Sequence, residues 1–212
     1  MAHRTIARPG EHHEIVKGSR FRAVVAPLPE VADADAWIAR LRAAEPDAGH
    51  VAWAWRWGDL QRWSDDGEPG GTAGRPMLEV LLKRDLDRVI AGVARVFGGV
   101  KLGAGGLARA YGASVARALD AAPVLDVPDR VAFELRAPFA EVDGVLRALA
   151  DPDVAHAAPE FDAAGVVVRG TVLASAAARV EERVTTVTRG RGLWAWSAGV
   201  RADDASDGGY RK

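Results

Sequence analysis

Apolar residues recur along this chain in two rhythms, every second position and every third or fourth, and the rhythms take turns. In the second half, residues 130–136 (RVAFELR) alternate as a half-buried strand, and Val142, Val145, Leu146 and Leu149 share one face of a helix over 139–149. Residues 154–161 and 166–173 read as two strands flanking the turn Asp162-Ala-Ala-Gly165. Residues 175–187 read as a helix with Ser175 as candidate N-cap, and residues 193–200 (LWAWSAGV) as a last strand. The order βαββαβ predicts a ferredoxin-like domain, a sheet with two helices on one face. That fold hosts RNA binders, metal carriers, regulatory domains and enzymes, so it names no function.

The first half predicts a mixed α+β domain. Residues 19–26 read as a strand and 33–44 as a helix, with Asp33 as candidate N-cap and Trp37, Ile38 and Leu41 on one face. Residues 50–57 (HVAWAWRW) form a strand with Val51, Trp53, Trp55 and Trp57 on one side. A helix around 77–82, a strand over 88–97 and a helix from about 105 to 119 complete it. At 121–128 (AAPVLDVP) two prolines bracket a short apolar stretch, which predicts a strand leading into a connector. The expected division is therefore 14–122 and 128–202. The polar ends, 1–13 and 203–212, lack periodicity and are expected to be disordered.

Composition narrows the function classes. The chain has 212 residues, 49% of them hydrophobic, enough to bury a core. A net charge of −1 removes bulk attraction to nucleic acid or an anionic membrane, so any polyanion site must be a local patch. One such patch exists: from Lys83 to Arg117, seven Lys and Arg stand against Asp85 and Asp87. The absence of cysteine excludes disulfides, thiolate metal sites and cysteine nucleophiles, and matches a reducing compartment. No apolar run reaches the roughly 20 residues of a spanning helix, and the N-terminal arginines precede no apolar leader. A soluble, cytoplasmic protein without a membrane partner is expected.

Two segments carry candidate chemistry. In SDDGEPGGTAGRP, residues 64–76, Asp65, Asp66 and Glu68 offer a general acid/base pair or hard oxygen ligands. The same loop reads as a demanding turn: Gly67, Gly71 and Gly74 supply flexibility, Thr72 is a candidate N-cap, and Arg75 follows. His50 is placed to face that loop as base or ligand, or else as a hydrogen-bonded core residue. His12 and His13 are read as surface residues.

The second segment runs from Arg95 through Gly98, Gly99, Lys101, Gly103, Gly105 and Gly106 to Arg109, a glycine-rich loop opening a helix. Backbone N–H groups at such a helix start bind anions, with Lys101 as a point charge and Arg95 and Arg109 as forked phosphate donors. The competing reading makes the glycines packing devices and the cations a solvated face. Gly103-x-Gly105-x-x-Ala108 meets the relaxed dinucleotide fingerprint, but six residues separate the strand from its first glycine and no second βαβ half follows. The P-loop pattern fails, because no Gly-Lys-Ser/Thr follows a spaced glycine. Seven tryptophans are many for this length; a period-two stripe is ordinarily core, and Trp63 beside Arg62 is the ring best placed to stack on a base.

Together SDDGEP-GTAG-P at 64–76, R-FGG-KLGAGGL-RAYG at 95–112, KGSRFRAVVAPL at 17–28 and His50 resemble the YigZ/IMPACT family over residues 14–122. Gly70 stands where a serine is expected, so no serine nucleophile is available at that loop position, and Ala94 and Val96 replace the usual Thr and aromatic residue around Arg95. The second half resembles the smaller C-terminal domain of bacterial YigZ proteins, similar in fold to elongation-factor G domains. The resemblance implies an N-terminal domain related to ribosomal and elongation-factor folds and a link to translation. The eukaryotic kinase-regulating role is not expected, because few residues precede the shared core. Three readings follow: a translation-associated regulator binding RNA or the ribosome through the basic glycine loop, a hydrolase or transferase on a phosphorylated or peptidyl substrate using Asp65, Asp66 or Glu68, and a protein-binding module engaging the translation machinery. No cofactor is expected in any of them, and a metal enters only in the second, where the carboxylates act as acid/base groups or metal ligands.

Overall fold

The structure, a computed structural model, describes residues 2–197. It divides into two compact units, the first spanning His3–Val127 and the second beginning at Pro128. The first unit runs β1 (His3–Ile6), β2 (Gly10–Val16), β3 (Ser19–Pro27), α1 (Ala34–Ala44), β4 (His50–Trp57), β5 (Leu60–Ser64), α2 (Gly74–Lys83), β6 (Val89–Val96), α3 (Ala104–Asp120) and β7 (Val124–Val127). Five strands make an antiparallel sheet in the order β2-β3-β6-β4-β5. β1 and β7 pair with each other, His3 opposite Val127.

Helices cover both faces at the sheet's centre, which is why β6 is apolar at nearly every position. Val89, Ala91 and Val93 of β6 and Ala52 and Ala54 of β4 lie under α2 and α3, packed with Met77, Leu81, Tyr111 and Val115. Full burial of a side chain such as Met77 or Leu81 stabilises the fold by roughly 1.5–3 kcal/mol. On the opposite face Trp55 and Ile90 meet Ile38 of α1, and Val51 and Ala94 meet Leu41. The tryptophan stripe of β4 is thus packing under α1, not a stacking surface. Gly92 is small because a Cβ there would lie 2.4 Å from Leu41 Cδ2.

The N-terminal segment corrects an expectation. Residues 3–6 and 10–16 are strands, not a disordered end. The polar residues of β2 are tied down laterally: Glu11 accepts from Arg22 at 2.6 Å, and Glu14 from Ser114 at 2.6 Å and Arg117 at 2.7 Å. With β1 and β7 included, the first unit extends beyond the 14–122 that periodicity indicates.

The second unit contains β8 (Arg130–Ala137), α4 (Val142–Leu149), β9 (Val154–His156), β10 (Glu160–Asp162), β11 (Gly165–Leu173), α5 (Ala177–Thr188) and β12 (Leu193–Ser197). Its antiparallel sheet has the order β10-β11-β8-β12, with β9 also on β11, and the expected strand over 154–161 is split between β9 and β10. This is the ferredoxin-like arrangement. Phe133, Leu135, Val168 and Val172 meet Val145 and Leu149 of α4 and Val180 and Val184 of α5. Away from the helices, Arg136 and Arg169 are laced to Glu134, Glu160 and Asp162. Asp33 stands at the expected N-cap position of α1 but makes no side-chain cap bond there, whereas α5 starts after Ala176, so Ser175 is not its cap. The expected ends of the last strand, 198–200, and of the tail, 203–212, lie outside the described residues. Among the described residues, no helix is long and apolar enough to cross a membrane.

Candidate functional site

The loop between β5 and α2 sends its three carboxylates in three directions. Asp65 accepts from the backbone N–H groups of Gly71 at 2.7 Å and of Ala73 and Gly74 at 2.9 Å. It therefore caps α2, whose first N–H groups lack helical partners. The expected cap, Thr72, instead donates its hydroxyl to the Pro69 carbonyl at 2.6 Å. Asp66, at φ +48° and followed by Gly67 at +83°, turns back onto β4. Its carboxylate takes Arg42 at 2.8 Å and the Val51 N–H at 2.6 Å, while His50 Nδ1 donates to its carbonyl at 2.7 Å. Burial pushes the Asp66 carboxyl up, but Arg42 and the Val51 N–H outweigh it and hold the group below the usual carboxylate range.

Glu68 goes inward. Its Oε1 accepts from Arg95 Nη1 and from the Tyr111 hydroxyl, both at 2.7 Å, and all three residues are buried. Burial and then the bond to Glu68 push the Tyr111 hydroxyl pKa up, so it remains a donor at neutral pH. Arg95 also donates to Ser19 Oγ at 3.3 Å and lies 5.6 Å from the ring centres of both Phe21 and Phe97. This corrects the expectation that Arg95 forks to an external phosphate: it shares the face of Val89, Ala91 and Val93, under the helices. Its buried pair with Glu68 locks the acidic loop to the base of the glycine loop. Among the described residues, no three His, Asp or Glu side chains converge to hold a metal ion.

The glycine loop, residues 97–103, divides its glycines between two tasks. Gly98 is a close approach, since a Cβ there would lie 1.9 Å from the Gly18 carbonyl carbon, and its N–H donates to Ser19 Oγ at 3.2 Å. Gly99 and Gly103 take φ of +87° and +73°, and Gly103 delivers the chain into α3. That helix start has no side-chain cap and no acidic residue in its first turn, and residues 103–105 are exposed. Its orphan N–H groups therefore face solvent with the positive end of the helix dipole. Lys101 and Arg109 are exposed beside it and enter no ion pair among the described residues.

Relatives share this architecture. The sequence model of the Impact N-terminal domain matches residues 17–119, which contain both loops. "IMPACT family member in pol 5'region" from Thermus thermophilus is 50% identical over 137 residues, 63% of this chain and 75% of its own. The chain belongs to the IMPACT family. Two further members are "IMPACT family member YvyE" of Bacillus subtilis, 44% identical over 119 residues, and "IMPACT family member YigZ" of Escherichia coli, 45% identical over 111. Those alignments cover 55% and 50% of this chain and only 55% and 54% of the relatives. A solved crystal structure of a hypothetical protein, 29% identical, matches with a TM-score of 0.71 over 95% of this chain and 98% of its own.

Two residues of the IMPACT-family surface escape a linear reading. The β2–β3 hairpin tip rests on Gly98 and so brings exposed Lys17 to the glycine loop, from outside the basic stretch counted in sequence. Phe97 stands 55% exposed just past the last paired residue of β6. The signal for it is an aromatic directly before Gly-Gly, where a strand side chain is released into a turn. Trp63 is also exposed, but on the edge strand β5. Arg75 pairs with Glu79 along α2 at 3.6 Å.

Proposed function

We propose that this IMPACT-family chain is a translation-associated protein that binds RNA, free or within the ribosome, through the glycine loop and the first turn of α3. The observation that carries the reading is the exposed, uncapped start of α3 between Lys101 and Arg109. Backbone donors, the helix dipole and two cations that enter no ion pair among the described residues favour a phosphate there. The link to translation draws on the family resemblance. The acid/base alternative draws little from the geometry, because Asp65, Asp66 and Glu68 are each engaged by local donors.

The test is fluorescence anisotropy of a labelled single-stranded RNA across a salt series, for wild type and the double variant Lys101→Ala, Arg109→Ala. Wild type is expected to weaken with salt, and the variant's log–log slope to be shallower by roughly 0.7 for each phosphate it no longer neutralises. An unchanged slope, or no binding at low salt, overturns the reading.

A further inference from the structure

The ring of Phe97 packs on Arg95 and is otherwise left largely open to solvent. A turn into Gly98 and Gly99 does not need an aromatic side chain, yet one stands there 55% exposed. Its support is rigid: the Arg95 guanidinium lies over the ring at 5.6 Å from the centroid and is itself fixed by Glu68 and Ser19. The charge that is left without an ion pair on this surface, among the described residues, is of one sign. Lys17, Lys101 and Arg109 are exposed and without ion pairs among the described residues, while Glu14 and Glu68 are already held by Arg117 and Arg95. An open aromatic face backed by a fixed cation and bordered by free cations is complementary to a flat ring carried on a phosphate chain.

We propose that Phe97 is a base-stacking platform and that the RNA taken by this surface is single-stranded. An unpaired base lies on the free side of the ring while its neighbouring phosphates are held at Lys101, Arg109 and the start of α3; the proposal rests on the phosphate reading above. Bases in a duplex are already stacked and cannot use the platform.

The test compares one labelled oligoribonucleotide as a single strand, in a perfect duplex, and as an abasic strand of equal length, against wild type, Phe97→Ala and Phe97→Trp. Phe97→Ala is expected to weaken the single strand by roughly five- to 150-fold with an unchanged salt slope, and to leave duplex and abasic strands unaffected. Phe97→Trp is expected to bind the single strand at least as well as wild type. If Phe97→Ala binds the single strand like wild type, or wild type holds the abasic strand as tightly as the intact one, the platform is refuted while the phosphate reading stands. If wild type binds none of the three at low salt, the phosphate reading fails and the platform with it.

Discussion

An arginine beneath two helices cannot reach a phosphate in solvent, and Arg95 is instead half of a buried ion pair with Glu68. Removing one partner strands the other charge in a dry setting. Arg95→Ala is therefore expected to cost about 3–5 kcal/mol in urea unfolding, and a loss below about 1 kcal/mol would show the pair to be solvated. Asp66 gives a pH-dependent counterpart. Its carboxyl sits lower in the folded chain than in the unfolded one, so its contribution is complete above the unfolded value near 4 and fades as pH falls through the folded value. Asp66→Asn is expected to unfold at lower urea than wild type at about pH 7, with the difference closing towards about pH 3. A difference that does not change with pH would contradict this assignment. Asp65→Ala, which uncaps α2, is expected to cost about 1–2 kcal/mol without altering RNA affinity.

At the scale of elements, the β2–β3 hairpin tip and the glycine loop are in backbone contact at Gly18 and Gly98. Gly98→Ala forces one of them to move, so RNA affinity is expected to fall although Lys101 and Arg109 are untouched; unchanged affinity would detach the tip from the site. Elements with a strong apolar rhythm were readable from sequence, including β3, β4, β6, α3 and the whole order of the second unit. β2 was not, because an edge strand carrying Glu11, His12, His13 and Glu14 satisfies its charges with Arg22, Ser114 and Arg117, partners remote in sequence. β5, entered by a tight turn and largely exposed, shows no apolar alternation at all. Both loops of the candidate site were visible as motifs. The division of labour within them was not: Asp65 caps a helix that Thr72 flanks, and Arg95 pairs inward because of its parity on β6, a property of register rather than residue type.

Over the whole molecule, the two units present different electrostatic surfaces. The sheet of the second unit carries a closed lattice of ion pairs where RNA-binding domains of similar fold carry aromatic rings. Arg169→Ala is accordingly expected to leave RNA affinity and its salt slope unchanged; a shallower slope would assign part of the interface to that unit. In the first unit, the pairing of β1 with β7 places His3 beside Val127. The two ends of that unit are thus neighbours across one strand spacing. It has the geometry of a cassette: joining its ends with a few residues and cutting at the exposed Gly58 turn is expected to yield a folded circular permutant, and a host loop need open by only about 5 Å to accept it as an insert.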